Sequence, residues 1–286
     1  MTALALVLVL ASALFHATWN LLAKRAGGGA AFVWLSDVLA LAVFLPLFVW
    51  ALVTSDTPIG PTQLLFIAGS GALHVTYFLT LLRGYRAGDL SLVYPLARGT
   101  GPVISTIGAI LLFAERPSAL ALGGMALIAL GAFFLTGGPR ALGARNAGTA
   151  AAYGLVTGLL IGAYTLWDKG GLTVGMLPPL VLYYGGTFVR VAILTPAMRA
   201  RASHVQAEWR EHKVELFGVA VLGTLSYLLV LTALGFSPVS YVAPAREISI
   251  LLGAVMGTRL LAEGDALRRI LASVAMVLGV VALAVG

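Results

Sequence analysis

The stretch VYPLARGTGPVISTIGAILLFAE, residues 93–115, decides the fold, because residues 242–263, VAPAREISILLGAVMGTRLLAE, repeat its pattern. Each copy has a proline near its start, Pro95 or Pro244. Each carries an arginine, Arg98 or Arg246, that lies 17 residues before a glutamate, Glu115 or Glu263. A one-residue gap separates the proline and arginine alignments. A second pair of segments follows the same plan. HATWNLLAK (16–24) lies over IGAYTLWDK (161–169), so that Trp19 falls on Tyr164, Asn20 on Thr165 and Lys24 on Lys169. Apolar sequence aligns easily by chance, so the polar matches carry the weight.

Both pairs sit in a chain of 286 residues that is 60% hydrophobic and 10% charged, with a mean hydropathy of +0.99. Soluble domains carry about 25% charged residues. Glycine, proline and charge clusters divide the apolar sequence into ten expected spans: 2–23, 31–53, 62–83, 89–113, 118–137, 147–168, 176–198, 214–235, 238–261 and 266–285. Runs of this length suit the hydrocarbon core of a bilayer. The expected class is therefore an all-α integral membrane protein with ten transmembrane helices. Met1 to Leu14 lacks a basic start and a small-residue cleavage site, so it reads as the first span rather than a removed signal peptide. The polar stretch from Arg199 to Lys213 reads as a short surface helix.

Five spans is an odd number, so two consecutive copies must run in opposite directions. The halves are expected at 1–138 and 147–286, as inverted five-helix repeats with a substrate site near the midplane where they meet. The net charge of +7 invites a nucleic-acid reading, but its distribution points to a bilayer instead. Loops after the odd-numbered spans hold 13 of the Lys and Arg residues; the opposite side holds 2, Arg116 and Lys169. Arg98, Arg190 and Arg246 lie inside spans. This bias places the odd loops in the cytoplasm and both termini on the periplasmic side of a bacterial-type inner membrane. The chain has no cysteine, which excludes disulfides and thiolate metal sites; no cofactor is expected.

The segments HATWNLLAKR, LVYPLARGTGPV and LLFAERPS resemble the drug/metabolite transporter superfamily, and its ten-helix EamA branch most closely. The resemblance covers essentially the whole chain. It implies a secondary transporter that exports small metabolites, amino acids or drugs through a cavity between the halves, similar to the YddG-type exporters of aromatic amino acids. No motif fixes the substrate. A small molecule and the lipid bilayer are the implied partners, with monomer and dimer both open.

Polar groups in spanning helices are costly and usually face a wet cavity or another helix. Ser12, His16 and Asn20 share one face of the first span, with Trp19 beside it. Ser70, His74 and Tyr77 share a face of the third. An imidazole ordinarily titrates near neutrality, so His74 suits carboxylate recognition or proton movement. Tyr94 and Arg98 stand a turn apart beside Pro95, and a guanidinium can hold a carboxylate through paired hydrogen bonds. Helix packing, snorkelling or an ion pair are the competing accounts. Arg246 and Glu247 point about 100° apart, so they cannot pair across one face, and one or both is expected to pair with another helix. Tyr164, Trp167 and Tyr227 complete the expected substrate-binding set of His16, Trp19, Asn20, His74, Tyr77, Tyr94, Arg98, Arg246 and Glu247. Pro95 and Pro244 are the expected gates.

Other positions favour structure. Gly154, Gly158 and Gly162 form a repeated GxxxG pattern that predicts close helix packing. Glu115 and Glu263 read as helix-end signals. Asp37 reads as either a proton carrier or a water-exposed carboxylate. Tyr183, Tyr184, Thr187 and Arg190 add polar groups to the seventh span, where an interfacial belt is the alternative. Rival functions are a channel or scramblase and an intramembrane enzyme. Gly69-Ser70-Gly71 with His74 is a weak serine–histidine signal, and neither an HExxH motif nor paired intramembrane aspartates is present.

Overall fold

The computed structural model describes residues 1–27, 29–87, 90–136, 147–256 and 266–286. Among these residues all regular structure is α-helical. In chain order the helices are α1 (Ala3–Arg25), α2 (Ala30–Thr54), α3 (Pro61–Ala87), α4 (Leu90–Leu112), α5 (Ala119–Thr136), α6 (Ala147–Thr173), α7 (Pro179–Arg199), α8 (Ala202–Glu211), α9 (Lys213–Phe236), α10 (Val239–Ala245), α11 (Ile248–Met256) and α12 (Ala266–Val285). Six of them (α1, α2, α3, α6, α7 and α9) are long and apolar enough to cross a membrane, and α4, α5 and α12 contain shorter apolar runs. Many of their large apolar side chains face outward, among them Leu4, Val53, Leu111 and Leu112. Helices satisfy their own backbone groups, so apolar faces turned outward suit lipid. The chain is an all-helical integral membrane protein of about ten spans.

Two boundaries differ from expectation. The sixth helix runs on to Thr173, so Asp168 and Lys169 lie inside it rather than at a span end. The ninth span is broken, because α10 stops at Ala245 and α11 starts at Ile248. Pro244 supplies no N–H, and the next bonds are tight three-residue ones: Glu247 N–H to Pro244 O, Ser249 N–H to Arg246 O and Ile250 N–H to Glu247 O. Arg246 and Glu247 occupy this break. The polar stretch after α7 does form a short helix, α8, with no buried residue.

Small residues set the packing. A side chain at Gly158 would collide with Thr100 Oγ1, one at Gly154 would meet Leu96, and one at Gly162 would meet Ile104. Leu96, Thr100 and Ile104 are spaced at four-residue steps on α4, so the α6 glycines form a groove for that ridge. Without a hydrophobic force between helices in lipid, such close approach supplies the van der Waals contact that holds them. The α5–α12 pair follows the same rule through Gly124 against Gly279 and Gly131 against Met276. Packing elsewhere pairs α1 with α9, α3 with α6, and α2 with α7.

Candidate functional site

Polar and aromatic side chains converge where α3, α6 and α9 meet. The His74 ring stacks on Tyr164 at 4.2 Å and meets the edge of Tyr227 at 5.3 Å. Tyr77 lies 5.5 Å from Tyr164, and Tyr183 of α7 lies 6.0 Å from Tyr227. The Tyr227 hydroxyl donates to Asp168 Oδ2 at 2.6 Å. His74, Tyr77 and Tyr227 remain partly accessible although they contact one another inside the bundle. On α1, His16 and Trp19 pack edge to face at 4.9 Å, and Arg98 and Arg246 both act on His16 electrostatically. Tyr94 is half-buried within electrostatic reach of Arg98 and Glu247.

Three guanidinia enter this region, and their partners differ. Arg98 Nε lies 2.8 Å from Glu247 Oε2, and its Nη2 donates to Ser249 Oγ at 3.2 Å. Arg190 binds Asp37 through two bonds, Nε to Oδ2 at 3.0 Å and Nη2 to Oδ1 at 2.8 Å. Asp37 is therefore a buried, fully engaged carboxylate rather than a water-exposed one, and only 8% of it is accessible. Arg246 lies over the face of Tyr227 at 5.5 Å. Among the described residues no carboxylate reaches Arg246 at ion-pair distance, although only 8% of its surface is accessible. Arg246 and Glu247 each meet another helix: Arg246 lies over Tyr227 of α9, and Glu247 pairs with Arg98 of α4.

Several expected site residues are engaged elsewhere. Ser12 and Ser226 each donate to the other's backbone carbonyl, at 2.8 Å and 3.0 Å, which ties α1 to α9. The Ser12 end of the α1 stripe is thus helix-to-helix adhesion. Asn20 turns back to the His16 carbonyl at 2.7 Å. Trp167 points away from the cluster: its indole donates to Phe66 O at 2.9 Å and fills the space left by Gly69. Gly71 packs on Gly186 and Val189, so the Gly-Ser-Gly triplet serves close packing. His74 bonds the Ser70 carbonyl, not its hydroxyl. Tyr184 stacks on Phe48 and donates to Leu41 O.

The turn between α9 and α10 is held from both sides. Glu115, following α4, accepts from Val239 N–H at 2.7 Å and from Ser240 N–H and hydroxyl at 2.9 Å and 2.6 Å. It supplies acceptors to the otherwise unpaired first N–H groups of α10, in keeping with its expected helix-end role. Lys169, counted from sequence as a loop charge, instead donates to carbonyls at the end of α9, Leu234 at 2.6 Å and Ser237, just past the helix, at 3.1 Å. The side chain of Pro95 and all of Glu263 lie outside the described residues. Pro244 is buried at the end of α10.

Asp168 and the Asp37–Arg190 pair are the central groups that sequence reasoning left out of the site. The available signal was a carboxylate in YTLWDK, which becomes a mid-helix residue once α6 is allowed to continue through Gly170-Gly171. Comparisons with known proteins give the remaining findings. None of the curated proteins matches the chain. A crystal structure of another protein has the same fold, with a TM-score of 0.73 and 15% identity over 100% of this chain and 98% of that one. Residues 3–137 match the EamA-like transporter family. The helical membrane fold, the paired motifs and this match agree: over its first half the chain is similar to the EamA-like transporters, membrane transporters of the drug/metabolite type.

Proposed function

We propose that the protein exports small metabolites, amino acids foremost and aromatic ones among them, by alternating access through a central cavity. The observation that carries this reading is Arg246. It is a buried guanidinium without a contacting carboxylate among the described residues, whereas Arg98 and Arg190 are each occupied by one. A guanidinium left in that state suits the carboxylate of a substrate, which it can hold by two hydrogen bonds. His16, Trp19, Asn20, His74, Tyr77, Tyr94, Tyr164 and Tyr227 offer the apolar faces and polar edges that a small zwitterion needs. Trp167 and Arg98 support the wall in this scheme, and Glu247 orients Arg98.

Two halves, 1–138 and 147–286, would form the moving parts. The contacts favour this: α1 packs on α9 as α6 packs on α3, and each of the pairs α2–α7 and α5–α12 is its own mate when the halves are exchanged. Both termini would lie in the periplasm, in an inner membrane. The test is counterflow in proteoliposomes with labelled amino acids, amines and drugs. Saturable exchange of a labelled amino acid against the same unlabelled compound supports the reading. Non-saturating flux would make the protein a channel, and exchange confined to hydrophobic cations would make it a multidrug exporter.

A further inference from the structure

Ser70, His74, Asp168 and Tyr227 meet where α3, α6 and α9 touch, and their contacts fix where protons can sit. The Ser70 carbonyl oxygen lies 2.9 Å from His74 Nδ1. A carbonyl only accepts, so Nδ1 carries a hydrogen. The other ring nitrogen, Nε2, lies 4.0 Å from Asp168 Oδ2, with the histidine side chain 14% exposed and the aspartate side chain 0%. The Tyr227 hydroxyl donates to the same carboxylate oxygen at 2.6 Å. Among the described residues His74 is the basic group nearest this carboxylate at ion-pair distance. From the neighbouring elements, Arg190 of α7 and Arg246 of the α10–α11 break act on it at longer range, and Ser70 adds its hydroxyl. Arg190 is already bound to Asp37, and Arg246 lies over the Tyr227 ring. Arg98 of α4 faces Glu247.

We infer that His74 and Asp168 together hold one exchangeable proton, and that this proton couples transport; the inference rests on the transporter reading above. With the proton bound, Asp168 is a neutral carboxylic acid beside a neutral imidazole whose Nε2 faces it. When the proton leaves, it passes by way of Nε2 to water in the cavity, and the pair keeps one negative charge. A fully buried carboxylate is costly without a compensating proton or cation. The emptied pair therefore favours a substrate bearing an ammonium group. Proton and substrate occupy the site in turn and travel in opposite directions.

Two measurements test this. The first needs no substrate. Infrared difference spectra of the protein in lipid between acid and alkaline pH should contain the carbonyl stretch of a protonated carboxyl. That band should vanish in Asp168→Asn and persist with a displaced midpoint in His74→Gln. A spectrum unchanged by Asp168→Asn overturns the inference. The second uses proteoliposomes and labelled phenylalanine, leucine and threonine. An inside-acid gradient should drive accumulation several-fold above that at equal pH, and whatever exchange remains in Asp168→Asn should ignore the gradient. Gradient-driven accumulation in that variant, or drive by an inside-alkaline gradient in the native protein, overturns the inference. Absence of any counterflow with all three probes defeats the amino-acid reading, while the infrared result still decides the proton site.

Discussion

Arg98 of α4 and Glu247, in the break between α10 and α11, form a buried ion pair at 2.8 Å that crosses from one half of the chain to the other. Its strength as a contact is not its net contribution to stability, because both charges were taken out of water to make it. Removing one partner of such a pair costs about 3–5 kcal/mol, whereas replacing both by apolar residues of similar size is often neutral. Glu247→Leu alone should therefore lower the melting temperature in detergent far more than Arg98→Met with Glu247→Leu together. A loss in the double variant equal to the sum of the two single losses would show that the two side chains act separately.

The glycine groove on α6 makes a sharper steric prediction. A methyl at Gly158 has no room beside Thr100, so Gly158→Ala should destabilise by about 1–3 kcal/mol through overpacking. At Gly123, on α5, an added methyl would meet nothing within 4 Å, and Gly123→Ala should leave the melting temperature unchanged or slightly raised. Similar behaviour of the two variants would remove the groove from the account of packing.

Orientation can be checked without any knowledge of substrate. With 13 Lys and Arg residues in the odd-numbered loops, a C-terminal alkaline phosphatase fusion should be active and a matching green fluorescent fusion dark. The move of Lys169 into α6 leaves Arg116 as the counted basic residue on the opposite side and sharpens the bias. A bright fluorescent fusion with an inactive phosphatase would reverse the topology.

The spans were legible because apolar runs of membrane length need no tertiary information. The α6 glycines were legible for a related reason: a four-residue spacing of small side chains has a direct packing meaning. The fates of polar residues were harder to read. Ser12, His16 and Asn20 share one face, but spacing does not distinguish Ser12 bonding to Ser226 from a wall of open water. Three arginines inside spans looked alike, and only the fold brings Glu247 to Arg98 and Asp37 to Arg190. Asp168 stands at the end of the expected sixth span, 147–168, yet Gly170 and Gly171 continue the helix against Phe66 and Leu182. The residues at the break after Pro244 meet a partner from elsewhere in the chain, Arg98, which contacts Glu247 and Ser249.

The proposed cavity makes a prediction about accessibility. Tyr77 is partly accessible and meets Tyr164, whereas Ile128 is 1% exposed and packs where α5 meets Gly279 of α12. The chain has no cysteine of its own. Tyr77→Cys should react with a small water-soluble thiol reagent in membranes, and saturating substrate should slow that reaction. Ile128→Cys should stay unlabelled. Equal labelling of the two would remove the aqueous cavity from the proposal.

The last prediction concerns Pro95 and Pro244, which occupy matching places in the two repeated segments. Pro244 lies near the end of α10, just before Arg246 and Glu247, and its missing N–H leaves the Ser240 carbonyl without its helical donor. The α10 start is meanwhile fixed by Glu115 and the preceding turn by Lys169. In the proposed mechanism this short helix, anchored at one end and broken at the other, would swing about the break and carry Arg246 with it. Pro95 lies within α4, where it would act in the same way about one turn before Arg98. Replacing either proline by alanine restores an N–H and favours a continuous helix, which should stiffen that swing. Pro95→Ala and Pro244→Ala should each slow exchange on the order of tenfold, equivalent to about 1.4 kcal/mol in the barrier, while equilibrium binding of the same substrate changes little. If the prolines are merely tolerated, with neighbouring groups satisfying the freed carbonyl, both variants will exchange at the native rate. Loss of binding with an unchanged rate per bound molecule would instead put these residues in the substrate site and leave the gate elsewhere.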